Sequence, residues 1–441
     1  MPLQFDPPSG TRDFLAAELE TRQRAFAVID RVYTSYGFEP LQTPAFERLD
    51  VLMGKYGDEG DKLIFKILRR GEHEASGEAD LALRYDLTVP LARVAAAYGS
   101  RLPSPYKRYA LGPVWRADRP GKGRYREFTQ CDLDTLGSTS LLADAEVVCA
   151  QNEALTGLGV PGFGIKLNSR LVLTGLLEVF GVPAELGPGV LASLDKLDKL
   201  APAEVRAELA GRGLAQDRAG ELVEVISAPD SEERVRAALK PSETGAAGLE
   251  QVDGLLALVR GQVPDGRVTF TPGMVRGLSY YTGPIWELVT PVVTGSIGGG
   301  GRYDHLIADL GGPDLPATGA ALGIERILAA LPGSEGGRSR LDVAVTVMGE
   351  TLAARAFAFA GLARAAGLRA AVYLGSSGKL GRQLKWASDS GARWSLIYGA
   401  AEDAAGTVTV RDMNSGEQAA VPVGALAGHL DGLAAGLADG G

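Results

Sequence analysis

With only two cysteines, Cys131 and Cys149, among 441 residues, the sequence cannot build a disulfide framework or a four-cysteine zinc site. Histidine is equally scarce: His73, His305 and His429 lie far apart, which argues against a histidine-rich metal centre. No apolar run approaches the roughly 18 residues of a membrane span, so no membrane partner is expected. The opening Met1-Pro2-Leu3-Gln4-Phe5-Asp6 has neither the basic nor the apolar stretch of a secretory leader, and a cytoplasmic location is expected. Positive charge is also short. Lysine and arginine total 45 against 54 acidic residues, a formal charge of -9, unlike a nonspecific DNA binder that lives on phosphate contacts. A local basic surface could still meet nucleic acid within an acidic whole.

What is present is the mixture of a soluble globular protein, 45% hydrophobic and 22% charged. At roughly 150 residues per domain the length allows about three domains. Apolar residues at helical spacing, Phe14, Leu15, Leu19, Phe26, Val28, Ile29, Val32 and Tyr33, predict a helix within 11–36 that stops at Gly37. Strand-like pieces follow at 39–44, 63–68 and 82–85, with a helix from near Asp86. Residues 106–137 alternate apolar and polar, which predicts two long antiparallel strands joined by a basic loop containing Gly121 and Gly123. From 172 to 262 the pattern becomes one of short amphipathic helices, an inserted module. Strand character returns at 268–270, 280–290 and 295–301, with a helix expected near Tyr303. Beyond the glycine-rich Pro332 to Gly337, strand and helix alternate as in a small α/β domain with a mostly parallel core.

Three arginines sit on glycine-flanked or strand-borne segments where a phosphate could approach: Arg116, Arg276 and Arg326. The planar guanidinium fork suits a triphosphate better than a lysine point charge. Neither a Gly-x-x-x-x-Gly-Lys-[Ser/Thr] loop nor a Gly-x-Gly-x-x-Gly turn heads a βαβ unit, so a nucleotide would be held by arginines on strands. Each arginine alone could be a solvated surface residue. The run Gly298-Gly299-Gly300-Gly301 could be a bulge or turn, or a strand bare enough for a flat ligand to lie on.

In order, these segments resemble the histidyl-tRNA synthetases, a family of class II aminoacyl-tRNA synthetases, over almost the whole chain. Arg276-Gly277-Leu278-Ser279-Tyr280-Tyr281 is similar to the family's Arg-Gly-Leu-Asp-Tyr-Tyr signature, and Gly299-Gly300-Gly301-Arg302-Tyr303-Asp304 follows at the expected place. Arg116 to Gly137, with Gln130-Cys131-Asp132-Leu133-Asp134, resembles class II motif 2; Gly323-Ile324-Glu325-Arg326 resembles motif 3. Gly37 to Pro44 is a motif 1 candidate, and Leu83 to Thr88 resembles the amino-acid-binding turn. Lys379 to Ala387 and Gly416-Glu417-Gln418 resemble the anticodon-binding domain. The resemblance implies an α+β fold: an antiparallel-sheet catalytic domain (1–171 and 263–331), a helical insertion (172–262), a linker (332–340) and an α/β anticodon-binding domain (341–441).

The implied activity is joining of histidine to ATP as histidyl-adenylate and transfer to the 3′ end of histidine tRNA by a homodimer, with motif 1 at the interface. Arg116 and Arg276 would be catalytic, Arg276 standing where other class II enzymes use a metal. Arg116, Asp118, Arg124 and Arg326 would bind ATP. Asp86, Thr88, Gln130, Asp134, Tyr280 and Tyr281 would bind histidine, with Asp134 accepting a ring N–H and Tyr281 acting through its hydroxyl. Magnesium would ride on the phosphates, with no protein-bound metal. Without the motif, Asp134 reads as a solvent-facing strand residue and Tyr281 as a core aromatic. Two departures stand out: Ser279 where the signature has aspartate, and Pro120-Gly121-Lys122-Gly123 where the family commonly has Pro-Gln. The competing readings are the synthetase-like regulatory subunit of ATP phosphoribosyltransferase and a synthetase paralogue with another acceptor.

Overall fold

The computed structural model describes residues 5–56, 60–71, 76–121, 123–198, 200–275, 280–332 and 341–438. Arg276 to Ser279, Lys122 and the linker residues from 333 to 340 lie outside the described residues. The chain divides into two units, Met1–Asp13 with Arg22–Ser334, and Phe14–Thr21 with Glu335–Gly441.

After the helix Ala16–Ser35, the strands of the first unit are β1 (Glu39–Pro40), β2 (Phe46–Arg48), β3 (Lys66–Leu68), β4 (Ala79–Leu83), β5 (Tyr106–Trp115), β6 (Glu127–Leu136), β7 (Gly164–Ser169), β8 (Val268–Phe270), β9 (Pro284–Val289), β10 (Ser296–Arg302) and β11 (Ala317–Gly323). Eight of them form one sheet in the order β1-β5-β6-β11-β10-β9-β7-β8; β2, β4 and β3 form a small second sheet. Among the described residues of the large sheet, β1–β5 and β7–β8 pair in parallel and the other neighbours are antiparallel. The expected alternation at 106–137 becomes the β5–β6 ladder, ten residues on each strand. On β6 it puts Cys131 and Leu133 into the apolar core, and Gln130, Asp132 and Asp134 on the other face. The helix Leu141–Gly157 joins that core, capped where the Ser140 hydroxyl accepts the Leu142 N–H at 3.2 Å. Buried Trp286 on β9 donates to Gln151 of the same helix at 2.8 Å.

The helical stretch consists of Arg170–Val179, Gly187–Leu194, Pro202–Gly211, Gln216–Ser227, Ser231–Ala238 and Glu243–Val259. Its buried Val190, Leu209, Leu222 and Val252 belong to the same core as the sheet. The α-helix expected near Tyr303 is not there. Tyr303 is buried just past β10, and a turn leads to the short 3-10 segment Ala308–Leu310. Left-handed Gly311, followed by Pro313, ends that segment and returns the chain as β11.

The second unit has β12 (Val343–Val345), β13 (Ala370–Val372), β14 (Trp394–Ile397), β15 (Thr407–Asp412) and β16 (Gln418–Pro422), ordered β13-β12-β14-β15-β16. β12 pairs in parallel with β13 and β14, whereas β15 and β16 are antiparallel additions, so the sheet is mixed. The short β15–β16 connection forces a hairpin. Asp412 holds it by accepting the N–H groups of Asn414 and Ser415, both at 2.8 Å.

Candidate active site

The polar face of the β5–β6 ladder carries an unusual load of buried charge. Arg108 and Asp134 face each other in register, and their side chains, 1% and 2% exposed, lie 2.8 Å apart from Nη2 to Oδ2. The same Nη2 donates to the Leu87 carbonyl at 3.0 Å, and its contact with Asp134 is an ion pair without an aligned hydrogen bond, since Asp134 Oδ2 has no hydrogen-bond partner among the described residues. The other Asp134 oxygen accepts the Tyr303 hydroxyl. Across the next strand pair lies Gly319, where a Cβ would fall 1.9 Å from Asp134 Oδ1; only glycine leaves room for this carboxylate. On β10, a Cβ at Gly301 would come within 2.8 Å of the Tyr281 ring. The room left by Gly301 is therefore filled by Tyr281, so this glycine serves the packing of that ring. Tyr280 packs edge-on against both Tyr281 and Tyr303, with ring centroids 5.1 and 5.9 Å apart.

Asp86 enters from the turn before the helix Thr88–Tyr98. Its Oδ1 accepts the Tyr56 hydroxyl and the Val89 N–H, each at 3.0 Å. Thr88 opens that helix and is partly exposed. Asp132 and Gln130 are buried on β6, and both Asp132 oxygens and Gln130 Oε1 have no hydrogen-bond partner among the described residues. Burial pushes the Asp86, Asp132 and Asp134 carboxyls above their ordinary range; Arg108 opposes this at Asp132 and Asp134, and Arg116 at Asp86 and Asp132. Arg116 lies 4.2 Å over the Tyr85 ring and 5.2 Å over Phe128, its Nε bonded to the Tyr85 carbonyl at 3.1 Å.

A second cluster gathers two arginines. Arg326 donates to the Ser296 carbonyl at 2.7 Å and to the Gly123 carbonyl at 3.2 Å. Burial lowers its pKa, and the nearby charge of Arg124 lowers it further. Arg124 pairs with Asp118 at 2.7 Å. Glu287 and Asp118 act on Arg326 in the opposite sense, so the two arginines are drawn together against their mutual repulsion, and an anionic guest would relieve it. Tyr85 joins the two clusters, since it feels the charges of Arg116, Asp118, Asp86 and Arg124.

The structure thus brings Asp86, Gln130, Asp134, Tyr280, Tyr281 and Arg116 to one region, and Asp118, Arg124 and Arg326 to its arginine-bearing end. Arg276 lies outside the described residues. Sequence reasoning did not single out Arg108, Asp132, Tyr56, Tyr303 or Gly319. The period of two on the ladder was signal enough for Arg108 and Asp132, since it sets both on the face of Asp134. Tyr56 and Gly319 arrive through tertiary packing, which no local pattern reveals. Asp134 is not the solvent-facing strand residue that the motif-free reading offered.

A family model described as Histidyl-tRNA synthetase matches residues 10–327, and one described as Anticodon binding domain matches residues 342–432. A histidine–tRNA ligase of Gloeobacter violaceus is 41% identical over 462 residues, covering 96% of this chain and 97% of that protein. One from Paracoccus denitrificans is 39% identical, covering 94% and 91%. The crystal structure of a Nostoc histidyl-tRNA synthetase superposes with a TM-score of 0.78 at 30% identity, over 97% of this chain and 99% of that one. With both parts of the chain matched, the buried carboxylates and the arginines have a common explanation: the chain belongs to the histidyl-tRNA synthetase family.

Proposed function

We propose that this chain activates histidine with ATP and then transfers the histidyl group to the 3′ end of histidine tRNA, using the residues clustered on the β5–β6 face. In the first step a substrate carboxylate oxygen attacks the α-phosphorus, and pyrophosphate leaves with the bonding electrons. In the second, a terminal hydroxyl of tRNA attacks the acyl carbon and AMP leaves. Both steps need fixed geometry and positive charge near the α-phosphate more than covalent help from the protein. Arg116, held against the rings of Tyr85 and Phe128, supplies that charge and positions the carboxylate; Arg276 stabilises the α-phosphate. Arg124, with Asp118 orienting it, and Arg326 take the outer phosphates. Magnesium enters as the nucleotide complex.

The observation that carries this reading is a buried pocket wall rich in acceptors beside a cluster of arginines. Asp134 accepts a ring N–H of the substrate, Tyr281 meets the ring through its hydroxyl, and Tyr280 closes the same wall. Asp86, Thr88 and Gln130 take the ammonium end. A site that pairs buried polar groups discriminates against analogues lacking them by roughly 10⁴ to 10⁵. In this division of labour, 1–171 and 263–331 carry the chemistry, 172–262 is the helical insertion, 332–340 the linker, and 341–441 reads the anticodon. The working form is a cytoplasmic homodimer built through Gly37 to Pro44. No helix among the described residues is long and apolar enough to cross a membrane.

ATP–pyrophosphate exchange against all twenty amino acids tests the proposal. Exchange with histidine alone is expected, followed by charging of histidine tRNA. Histidine binding without exchange would overturn it in favour of a regulatory role.

A further inference from the structure

Asp132 takes no part in the proposed chemistry, yet it is a deeply buried carboxylate without a hydrogen bond among the described residues. It is 1% exposed, and neither carboxylate oxygen has a hydrogen-bond partner among the described residues. Two residues earlier on the same face of β6, Gln130 Oε1 is also buried without a partner. The charges of Arg108 and Arg116 act on it, but a buried carboxylate that accepts no hydrogen bond is unfavourable, so its retention calls for donors beyond those the described residues aim at it. Arg108 acts on it through charge without a hydrogen bond: its Nη2 meets Asp134 and the Leu87 carbonyl, and its Nε and Nη1 have no partner among the described residues. Asp86 adds a second negative charge from the opposite element, near enough to act on Asp132.

Acceptors thus converge from β6 and from the turn before the helix Thr88–Tyr98, and the Asp132 and Gln130 oxygens among them await a donor. An ammonium group brings one positive charge and three N–H donors, whereas a neutral imidazole brings one donor and no charge. The ammonium is the better complement. We propose that Asp132 is a further substrate-binding residue, receiving the α-ammonium of histidine together with Gln130 and Asp86. This rests on the histidine-activating reading and deepens it. Asp134, already balanced by Arg108 and Tyr303, is left for the uncharged ring. The consequence is selection for a free, protonated amino group.

The test uses the full-length protein and its Asp132→Asn variant, with two probes that each lack one substrate charge. Histidinol keeps the ammonium but has no carboxylate; imidazolepropionate keeps the carboxylate but has no ammonium. Calorimetric titration should show histidinol weakened roughly 10- to 100-fold in the variant, the scale of a lost hydrogen bond to a charged group, with imidazolepropionate unchanged or tighter. Removing a buried carboxylate charge that accepts no hydrogen bond should also leave the thermal midpoint of the free protein unchanged or higher, which a purely structural role would not do. Equal weakening of both probes, an unchanged affinity for histidinol, or a lowered midpoint would each overturn the proposal. If D132N does not fold, the proposal fails by the last criterion, and Asp132→Ser checks that result. Wild-type exchange with histidine reports separately on the activation reading, so the two can fail independently.

Discussion

Arg22 and Glu325, 303 residues apart in sequence, form a buried ion pair at 3.0 Å that ties the two ends of the site together. Arg22 also donates to the Thr129 hydroxyl at 2.9 Å, while the second oxygen of Glu325 accepts the Thr129 N–H at 3.0 Å. Thr129 precedes Gln130 and Glu325 precedes Arg326, so one network sets the neighbours of both the residue proposed for the ammonium and the residue proposed for the phosphates. Glu325→Gln leaves the Arg22 guanidinium buried without its counter-charge. The expected cost is about 3–5 kcal/mol of stability, read by urea unfolding. The KM for ATP should rise through Arg326. A variant as stable as wild type would show that the pair is dispensable.

Gly319→Ala should be damaging out of proportion to one methyl group. Its Cβ would meet Asp134 Oδ1 at 1.9 Å and the Leu133 carbonyl at 2.9 Å, so the carboxylate must move. A loss of about 1–3 kcal/mol in stability is expected from overpacking, with kcat/KM for histidine down by roughly 100-fold from misplacement. Gly361→Ala, on the exposed side of the helix Ala353–Ala365 with nothing within 4 Å, is the control. It should stabilise its unit by about 0.5–1 kcal/mol. Both are read by thermal melts and pyrophosphate exchange.

Arg326→Lys keeps the charge and loses the fork that bonds the Ser296 and Gly123 carbonyls. The KM for ATP should rise about tenfold, the scale of one charge-assisted hydrogen bond, with that for histidine nearly unchanged. Equal changes in both would place Arg326 in the scaffold instead of at the nucleotide.

Acid should weaken one corner of the helical stretch. Glu208 accepts from Lys196 at 2.7 Å, Ser193 at 2.9 Å and Arg212 at 3.1 Å. The Lys196 bond leads in pulling its pKa from 4.5 down to about 2. A depressed carboxyl contributes stability that is complete above the unfolded pKa and lost as pH falls through the folded one. The penalty of Glu208→Gln should therefore be steady above pH 4.5 and fade between 4.5 and about 2. Because the group is partly solvated, that penalty is set at about 1 kcal/mol. Calorimetric melts across pH check it; a difference that grows on acidification would contradict the assignment.

The large features of this fold are written locally. The ladder at 106–137 declares itself because polar and apolar side chains alternate over ten residues a strand, and Gly37 closes the first helix in the left-handed conformation expected of a stop. β11, at the centre of the large sheet, does not declare itself. Its sequence Ala-Thr-Gly-Ala-Ala-Leu-Gly has little β propensity, and it is a strand because β6 and β10 pair with it on both sides. β16 is hidden for a related reason: its pairing with β15 sets it, while its side chains are mostly exposed. In the site, the charged residues within motifs were legible. The partners that give them meaning, Tyr56 on Asp86 and Tyr303 on Asp134, come from distant segments and were not.

The β5–β6 ladder carries one further implication. Gln130, Asp132 and Asp134 occupy alternate positions on a single hydrogen-bonded strand, so their separations follow from the backbone rise, about 3.4 Å per residue. The pocket therefore holds a ruler made of main chain. If the proposed roles hold, the amino and ring ends of a substrate are gauged against marks fixed by the strand, and a substitution at either mark alters the chemistry met there without altering the length that fits.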